Sequence, residues 1–350
     1  MKFITEHSSA KNVTIGGKAE NLFVLVREGF AVPEFIVIPK EEGLSFIPEH
    51  VLRQNDFEAI KKCISDYIFP ESFTASVLEE FPGAVYFSVR SSAADEDGGQ
   101  HSFAGQFESE LFVTKETLTA SIKKVWLSAY TDRVRLYREN NGIHSKHGIA
   151  VIIQRMLDPQ VSGVAFGVNP ASGDRNEKVI SAVYGLGEGI VSGDLDADNF
   201  FVKNNSVRSQ IVAKKERIVF DLVNGHGTVK ENVPVALQEK AALSDDEAVM
   251  IAGMLDRLRA IYKRPQDIEF AIGNKKLFLL QSRPVTTTGN LPDPEGEYIV
   301  WDNSNIIESY PGLSSPLTFS FIRKMYEAVY IQFSAIMGIS EKEIAAHSST

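Results

Sequence analysis

The segment VYFSVRSSAADED, residues 85–97, constrains this chain more than any other. Its alternating apolar residues Val85, Phe87 and Val89 predict a strand that delivers Arg90 to its C-terminal end. Ser91 and Ser92 come next, and SFAGQ at 102–106 adds a glycine-bearing loop. An arginine, hydroxyls and backbone N–H groups gathered at a strand end suit an anionic ligand, above all phosphates. Three segments far away in sequence supply the other parts expected of such a site.

One is the pair of strands expected at Asp267–Ile272 and Leu277–Arg283, joined by a turn at Gly273-Asn274. Side chains two apart on a strand share a face, so Asp267 and Glu269 project together, as do Gln281 and Arg283 on the returning strand. Two neighbouring carboxylates can hold Mg²⁺, with water and phosphate completing its shell. The same residues also suit a polar, solvent-facing hairpin edge. Gly16-Gly17-Lys18 opens a helix carrying Leu22, Leu25 and Val26, and a helix N-terminus with a lysine attracts anions. The spacing of a P-loop is absent, and an ordinary helix cap is the simpler reading. GLGEGIVSG at 185–193 follows a strand, can approach a ligand closely through its backbone, and carries Glu188; a surface turn would look the same.

The nearly continuous apolar run Gly148–Leu157 predicts a strand covered on both faces, with Gln154 and Met156 as core residues or as a hinge beside a nucleobase. Residues 115–140 predict one long amphipathic helix burying Leu118, Ile122, Val125, Trp126, Ala129, Leu136 and Tyr137. Ser244 and Glu247 form a capping box for a helix to about Tyr262. Pro316–Met337 predicts a separate helical element after a Thr-, Gly- and Pro-rich stretch.

Composition narrows the partners. A formal net charge of −10 argues against nucleic acid or an anionic membrane as the main partner, though not against a local basic pocket. Cys63 is the sole cysteine, which excludes an intrachain disulfide and fits a reducing compartment. Without a signal-like start or a run of membrane-spanning length, the chain reads as cytoplasmic. The seven histidines show no metal-ligand spacing. Ser91 and Ser92 lack a nearby histidine–carboxylate pair, so a hydrolase nucleophile has no support.

Taken in order, IGGKAENL, SVRSSAADED, SFAGQF, VIIQRMLDPQVSGVAF, YGLGEGIVSG, QDIEFAI and LLQSRPVT make the chain resemble the N-terminal nucleotide-binding domain of the phosphoenolpyruvate synthase and pyruvate phosphate dikinase family over roughly residues 10–290. The resemblance implies a mixed α+β (α/β) fold of ATP-grasp type, two lobes holding ATP and Mg²⁺ between them. It implies a first lobe at 1–145, a second at 146–288, a linker at 289–300 and the start of a helical domain at 301–350. It puts Lys18 and Arg90 on the nucleotide phosphates and Asp267 and Glu269 on the metal, with Gln281 and Arg283 as the essential glutamine and arginine. Ser102 and Gly105 match a loop over the phosphates, Gln154 and Met156 the hinge near adenine, and Glu188 a glutamate at the cleft.

By resemblance, ATP is split so that its β-phosphoryl group passes to a histidine on a separate phosphocarrier domain, leaving AMP. The phosphohistidine then phosphorylates pyruvate in a barrel domain, or rifampicin in one branch. Here no Thr-Ser-His-type phosphocarrier motif and no barrel sequence occur, while Asn305–Thr318 resembles the start of the middle domain of the rifampicin branch. The expectation is therefore a fragment, or a subunit whose phosphocarrier histidine lies on another chain. A nucleotide-binding module without turnover and a carboxylate–amine ligase that releases ADP are the rivals.

Overall fold

Helix and strand boundaries follow local chemistry in this computed structural model, which describes residues 1–5, 13–93, 97–98, 101–102, 107–140, 147–285 and 316–339. The chain divides into Met1–Pro294 and Glu295–Thr350. In the first unit, α1 (Gly16–Arg27) buries Ala19, Leu22 and Leu25. Between Pro33 and Pro39 lies β1 (Phe35–Ile38), buried along its whole length. After α2 (Lys40–Leu44) come three short helices, α3 (Glu49–Gln54), α4 (Phe57–Asp66) and α5 (Phe73–Glu79). Asp56 starts α4 by accepting from the amides of Glu58 and Ala59, both at 3.1 Å.

The Arg90 segment forms β2 (Phe87–Ser92), followed by the two-residue strands β3 (Asp97–Gly98) and β4 (His101–Ser102) and by β5 (Ser109–Val113). The long helix expected at 115–140 is two helices, α6 (Leu118–Ser128) and α7 (Asp132–Asn140). Thr131 restarts the helix, its hydroxyl accepting from the Val134 amide at 3.4 Å. The break shifts the phase of the second half, so Val134 is fully buried while Leu136, expected to be buried, is 51% exposed.

Next come β6 (Ala150–Arg155), β7 (Val161–Phe166), β8 (Lys178–Tyr184), α8 (Glu188–Ser192), β9 (Asp198–Lys203) and β10 (Ser206–Gln210). Then follow β11 (Glu216–Phe220), β12 (Thr228–Asn232), α9 (Val235–Gln238), α10 (Asp245–Tyr262), β13 (Gln266–Gly273) and β14 (Lys276–Pro284). The capping box of α10 is present: the Ser244 hydroxyl accepts from the Glu247 amide, and the Glu247 carboxylate accepts from the Ser244 amide at 2.8 Å. The β13–β14 turn sits one residue later than the sequence predicts. Asn274 and Lys275 are its left-handed residues (φ 51° and 60°), while Gly273 still pairs with Lys276.

Two antiparallel sheets organise the first unit. One has strand order β1-β6-β2-β5 and the other β10-β9-β8-β7-β13-β14. One face of the first sheet (Ile36, Ile38, Val151, Ile153) packs on α4, α5 and α6 through Ile60, Ile64, Val77, Ile122 and Val125. The opposite face (Val37, Ala150, Ile152) joins α1, α10 and the second sheet in a common core. That double cover explains why Ala150–Ile153 is uninterrupted apolar sequence within an antiparallel sheet. It also places β6, expected to open the second lobe, between β1 and β2, so the chain changes sheets only at β7. Two sheets with helices packed on them give the two-lobed, mixed α/β architecture expected of an ATP-grasp-type domain. The expected linker at 289–300 lies outside the described residues.

His147 sits beneath this layer, 7% exposed, with its ring stacked on Phe57 and bonded to the Ala129 carbonyl. Burial, assisted by Arg138, holds its pKa down at about 4 instead of 6.5. The folded state thus refuses a proton that the unfolded chain accepts. Stability from this residue is complete above pH 6.5 and is lost as pH falls towards 4, by about 3 kcal/mol in all. Urea midpoints measured from pH 7.5 down to 4 should therefore fall more steeply in the wild-type protein than in His147→Leu; parallel slopes would refute this.

In the second unit, α11 (Pro316–Ile336) exposes Val329, Phe333 and Ile336. Among the described residues no helix is long and apolar enough to cross a membrane.

Candidate functional site

The β13–β14 hairpin presents its polar residues in facing pairs, Asp267 opposite Arg283 and Glu269 opposite Gln281. Beyond Glu269 the register slips by one, so Leu280 is an extra residue on β14. Arg90, carried by β2 in the other sheet, reaches across to this point. One guanidinium nitrogen donates to the Leu280 carbonyl at 3.0 Å; the other donates to Gln281 Oε1 at 2.6 Å and lies 3.4 Å from Glu269 Oε2. Its side chain is 14% exposed, so the contact with Glu269 is partly shielded from water. Asp267 is engaged separately by the Arg283 Nε, which donates to both carboxylate oxygens at 2.9 and 2.8 Å.

A cavity of about 390 Å³ opens beside this cluster. Arg90, Glu269 and Leu280 line it together with Gln154, Met156 and Glu188, so its lining draws on both sheets and on α8. Met156 packs against Leu186, Ile218 and Phe112, which make the neighbouring wall apolar. Gln154 is 2% exposed, and its amide donates to the Pro33 carbonyl at 3.3 Å. Glu188 accepts from the Thr228 hydroxyl at 2.9 Å. Gly163, also in the lining, could not carry a side chain without displacement. A Cβ there would lie 2.2 Å from the Ser181 carbonyl oxygen and 2.6 Å from the Phe270 ring.

Lys18 is not among the residues lining the cavity, but its helix is fastened to the site's strands. Gly16, at φ 77°, lies so close to Ser92 that a Cβ would be 2.4 Å from the Ser92 carbonyl oxygen. The Asn21 amide donates to the Ser282 carbonyl on β14 at 3.1 Å. Ser102 lies on β4, paired with Asp97, and Gly105 lies outside the described residues. The structure thus joins Arg90, Glu269 and Gln281 directly and sets Asp267–Arg283 next along the hairpin. The Leu280 carbonyl was illegible in the sequence, because any residue can supply a carbonyl and nothing in the local pattern marks the bulge.

The donor set is compatible with Mg²⁺. Asp267 and Glu269 share one face, and among the described residues no group of three or more His, Cys, Asp or Glu is placed to hold a metal ion. Carboxylate oxygens suit that hard cation, which would share Asp267 with Arg283 and Glu269 with Arg90, whereas a structural zinc site would demand a closed set of protein ligands.

Known proteins are similar to this chain over most of its length. The family described as pyruvate phosphate dikinase, AMP/ATP-binding domain, matches residues 12–297. A probable phosphoenolpyruvate synthase of Methanothermobacter thermautotrophicus is 32% identical over 92% of this chain and 51% of that protein. A rifampicin phosphotransferase of Bacillus cereus is 34% identical over 71% of this chain and 29% of that protein. The chain therefore spans about half the length of the first relative and less of the second. Among solved structures, the D-alanyl-alanine synthetase A of Vibrio cholerae O1 aligns at a TM-score of 0.34 and 9% identity, covering 76% of this chain and 54% of that one. With a family match running through every segment that builds the cleft, the chain belongs to the pyruvate phosphate dikinase AMP/ATP-binding domain family.

Proposed function

We propose that this chain binds ATP together with Mg²⁺ and serves as the nucleotide-binding part of a phosphotransferase that passes the β-phosphoryl group to a histidine on a separate phosphocarrier domain. The observation that carries the reading is the meeting of Arg90 from one sheet with Glu269 and Gln281 from the other at the edge of a cavity of about 390 Å³. A polyphosphate needs fixed cations, and the planar guanidinium of Arg90 offers paired donors whose orientation Gln281 and the Leu280 carbonyl already hold. Lys18 and Arg283 add positive charge, while Asp267 and Glu269 would hold Mg²⁺. When bound, Mg²⁺ neutralises phosphate charge as it develops in the transfer. The apolar wall around Met156, with Gln154 and Glu188 beside it, takes the nucleoside end. By resemblance Ser102 and Gly105 match the family's loop over the phosphates, although Gly105 lies outside the described residues.

In this scheme the acceptor is pyruvate, reached through the phosphohistidine; the similarity to rifampicin phosphotransferase supports a drug-like hydroxyl compound as the second reading. The decisive measurement is product identity. Calorimetry should detect Mg-ATP binding by the chain, and addition of an isolated phosphocarrier domain from a phosphoenolpyruvate synthase should yield AMP and a phosphohistidine on that domain. ADP as the product would point to a ligase instead, and binding without AMP would leave a module that only holds nucleotide. Either result overturns the transfer reading.

A further inference from the structure

α1 begins without a cap of its own. Ile15 precedes it in a helical backbone conformation (φ −109°, ψ −11°) and offers no side-chain acceptor, although the first turn of a helix leaves several amides unsatisfied. The residues just past Arg90 supply what is missing. The Ser92 hydroxyl accepts from the Ala19 amide at 3.1 Å, and the Ala93 carbonyl accepts from the Gly17 amide at 3.1 Å. Ser92 is 1% exposed, so this bond is shielded from water, and Gly16 fits against it only because it has no Cβ. Lys18 lies between the two bonded amides. At the far side of the same helix face, Asn21 bonds the Ser282 carbonyl and accepts from the Tyr262 hydroxyl at 3.2 Å.

We infer that Ser92 is a positioning residue: it caps α1 from a distant strand and thereby fixes Lys18 relative to Arg90, two residues before it. Resting on the reading of the cleft as a nucleotide-phosphate site, the inference adds a device that makes the two cations one unit. A lysine on a frayed first turn would sample many positions, and a point charge acts on phosphate only at short range. Ser92 touches no substrate in this scheme and works through the helix it holds.

Two measurements on the full chain test this. Ser92→Ala is expected to weaken Mg-ATP binding roughly five- to tenfold, the effect of losing one cap. The same change made in a Lys18→Ala background should cost nothing further, because the residue through which it acts is gone. An equal loss in both backgrounds, or no loss in either, would overturn the inference; a merely structural serine gives the first pattern. The second measurement needs no nucleotide. Hydrogen exchange of the Ala19 amide should be slow in the wild-type protein and much faster in Ser92→Ala, and rapid exchange in the wild type would refute the cap. If the wild-type chain failed to bind Mg-ATP, the functional reading would fall by itself, and with it the link to phosphate.

Discussion

Replacing Arg90 with alanine is expected to weaken Mg-ATP binding roughly ten- to a hundredfold, the scale of losing charge-assisted hydrogen bonds worth about 1.5–3 kcal/mol. The size follows from where the residue sits. Its guanidinium spans from β2 to the hairpin of the other sheet and meets three acceptors there, from Leu280, Gln281 and Glu269. Alanine removes the cation and also leaves the Glu269 carboxylate without its cross-sheet partner. Lysine keeps a positive charge but cannot form the paired donors, so Arg90→Lys should recover only a minor part of the loss. Calorimetric titration of both variants, with thermal unfolding to confirm that each is folded, provides the comparison. An Arg90→Ala protein that bound Mg-ATP within threefold of the wild type would remove Arg90 from the site.

The largest loss of stability should come from Asp198→Ala, remote from the cleft. Asp198 and Lys214 form an ion pair at 2.8 Å with side-chain exposures of 0% and 1%. One Asp198 oxygen also accepts from the Val212 amide at 3.0 Å and the other from the Ala242 amide at 2.8 Å. The Lys214 ammonium donates further to the Val212 carbonyl at 3.0 Å. Removing the carboxylate strands a buried cation and two amides, which costs about 3–5 kcal/mol. Replacing both partners with apolar residues of similar volume should cost much less, because no charge is then left unpaired. Urea unfolding of Asp198→Ala and of Asp198→Leu/Lys214→Met would show this ordering. A single variant less than about 1 kcal/mol below the wild type would show that water reaches the pair.

The fold was legible where side-chain period and turn chemistry act locally. The capping box at Ser244, the strand ending near Arg90 and the hairpin carrying Asp267 and Glu269 all follow from residues close in sequence. The same logic failed where distant packing decides. It also passed over a local cue, Thr131 before Asp132 as a helix N-cap inside an apolar period that runs on, and a doubly covered run at Ala150–Ile153 reads alike whichever sheet receives it. In the site, residue types indicated the chemistry, but pairing did not follow from them. That Arg90 would meet Gln281 while Arg283 meets Asp267 depends on how two sheets are set against each other. Ser92 was visible only as a hydroxyl beside an arginine; its partner lies 73 positions away.

The extra residue at Leu280 has a consequence for how β14 divides its duties. By strict alternation Leu277, Leu279, Gln281 and Arg283 would all point the same way, mixing oily and charged groups on one surface. With Phe270 opposite Leu279 but Glu269 opposite Gln281, the ribbon changes phase midway. Leu279 goes to the interior, where it is 1% exposed, while Gln281 stays turned towards Arg90. A single strand thus anchors the interior with one half and meets the other sheet's arginine with the other.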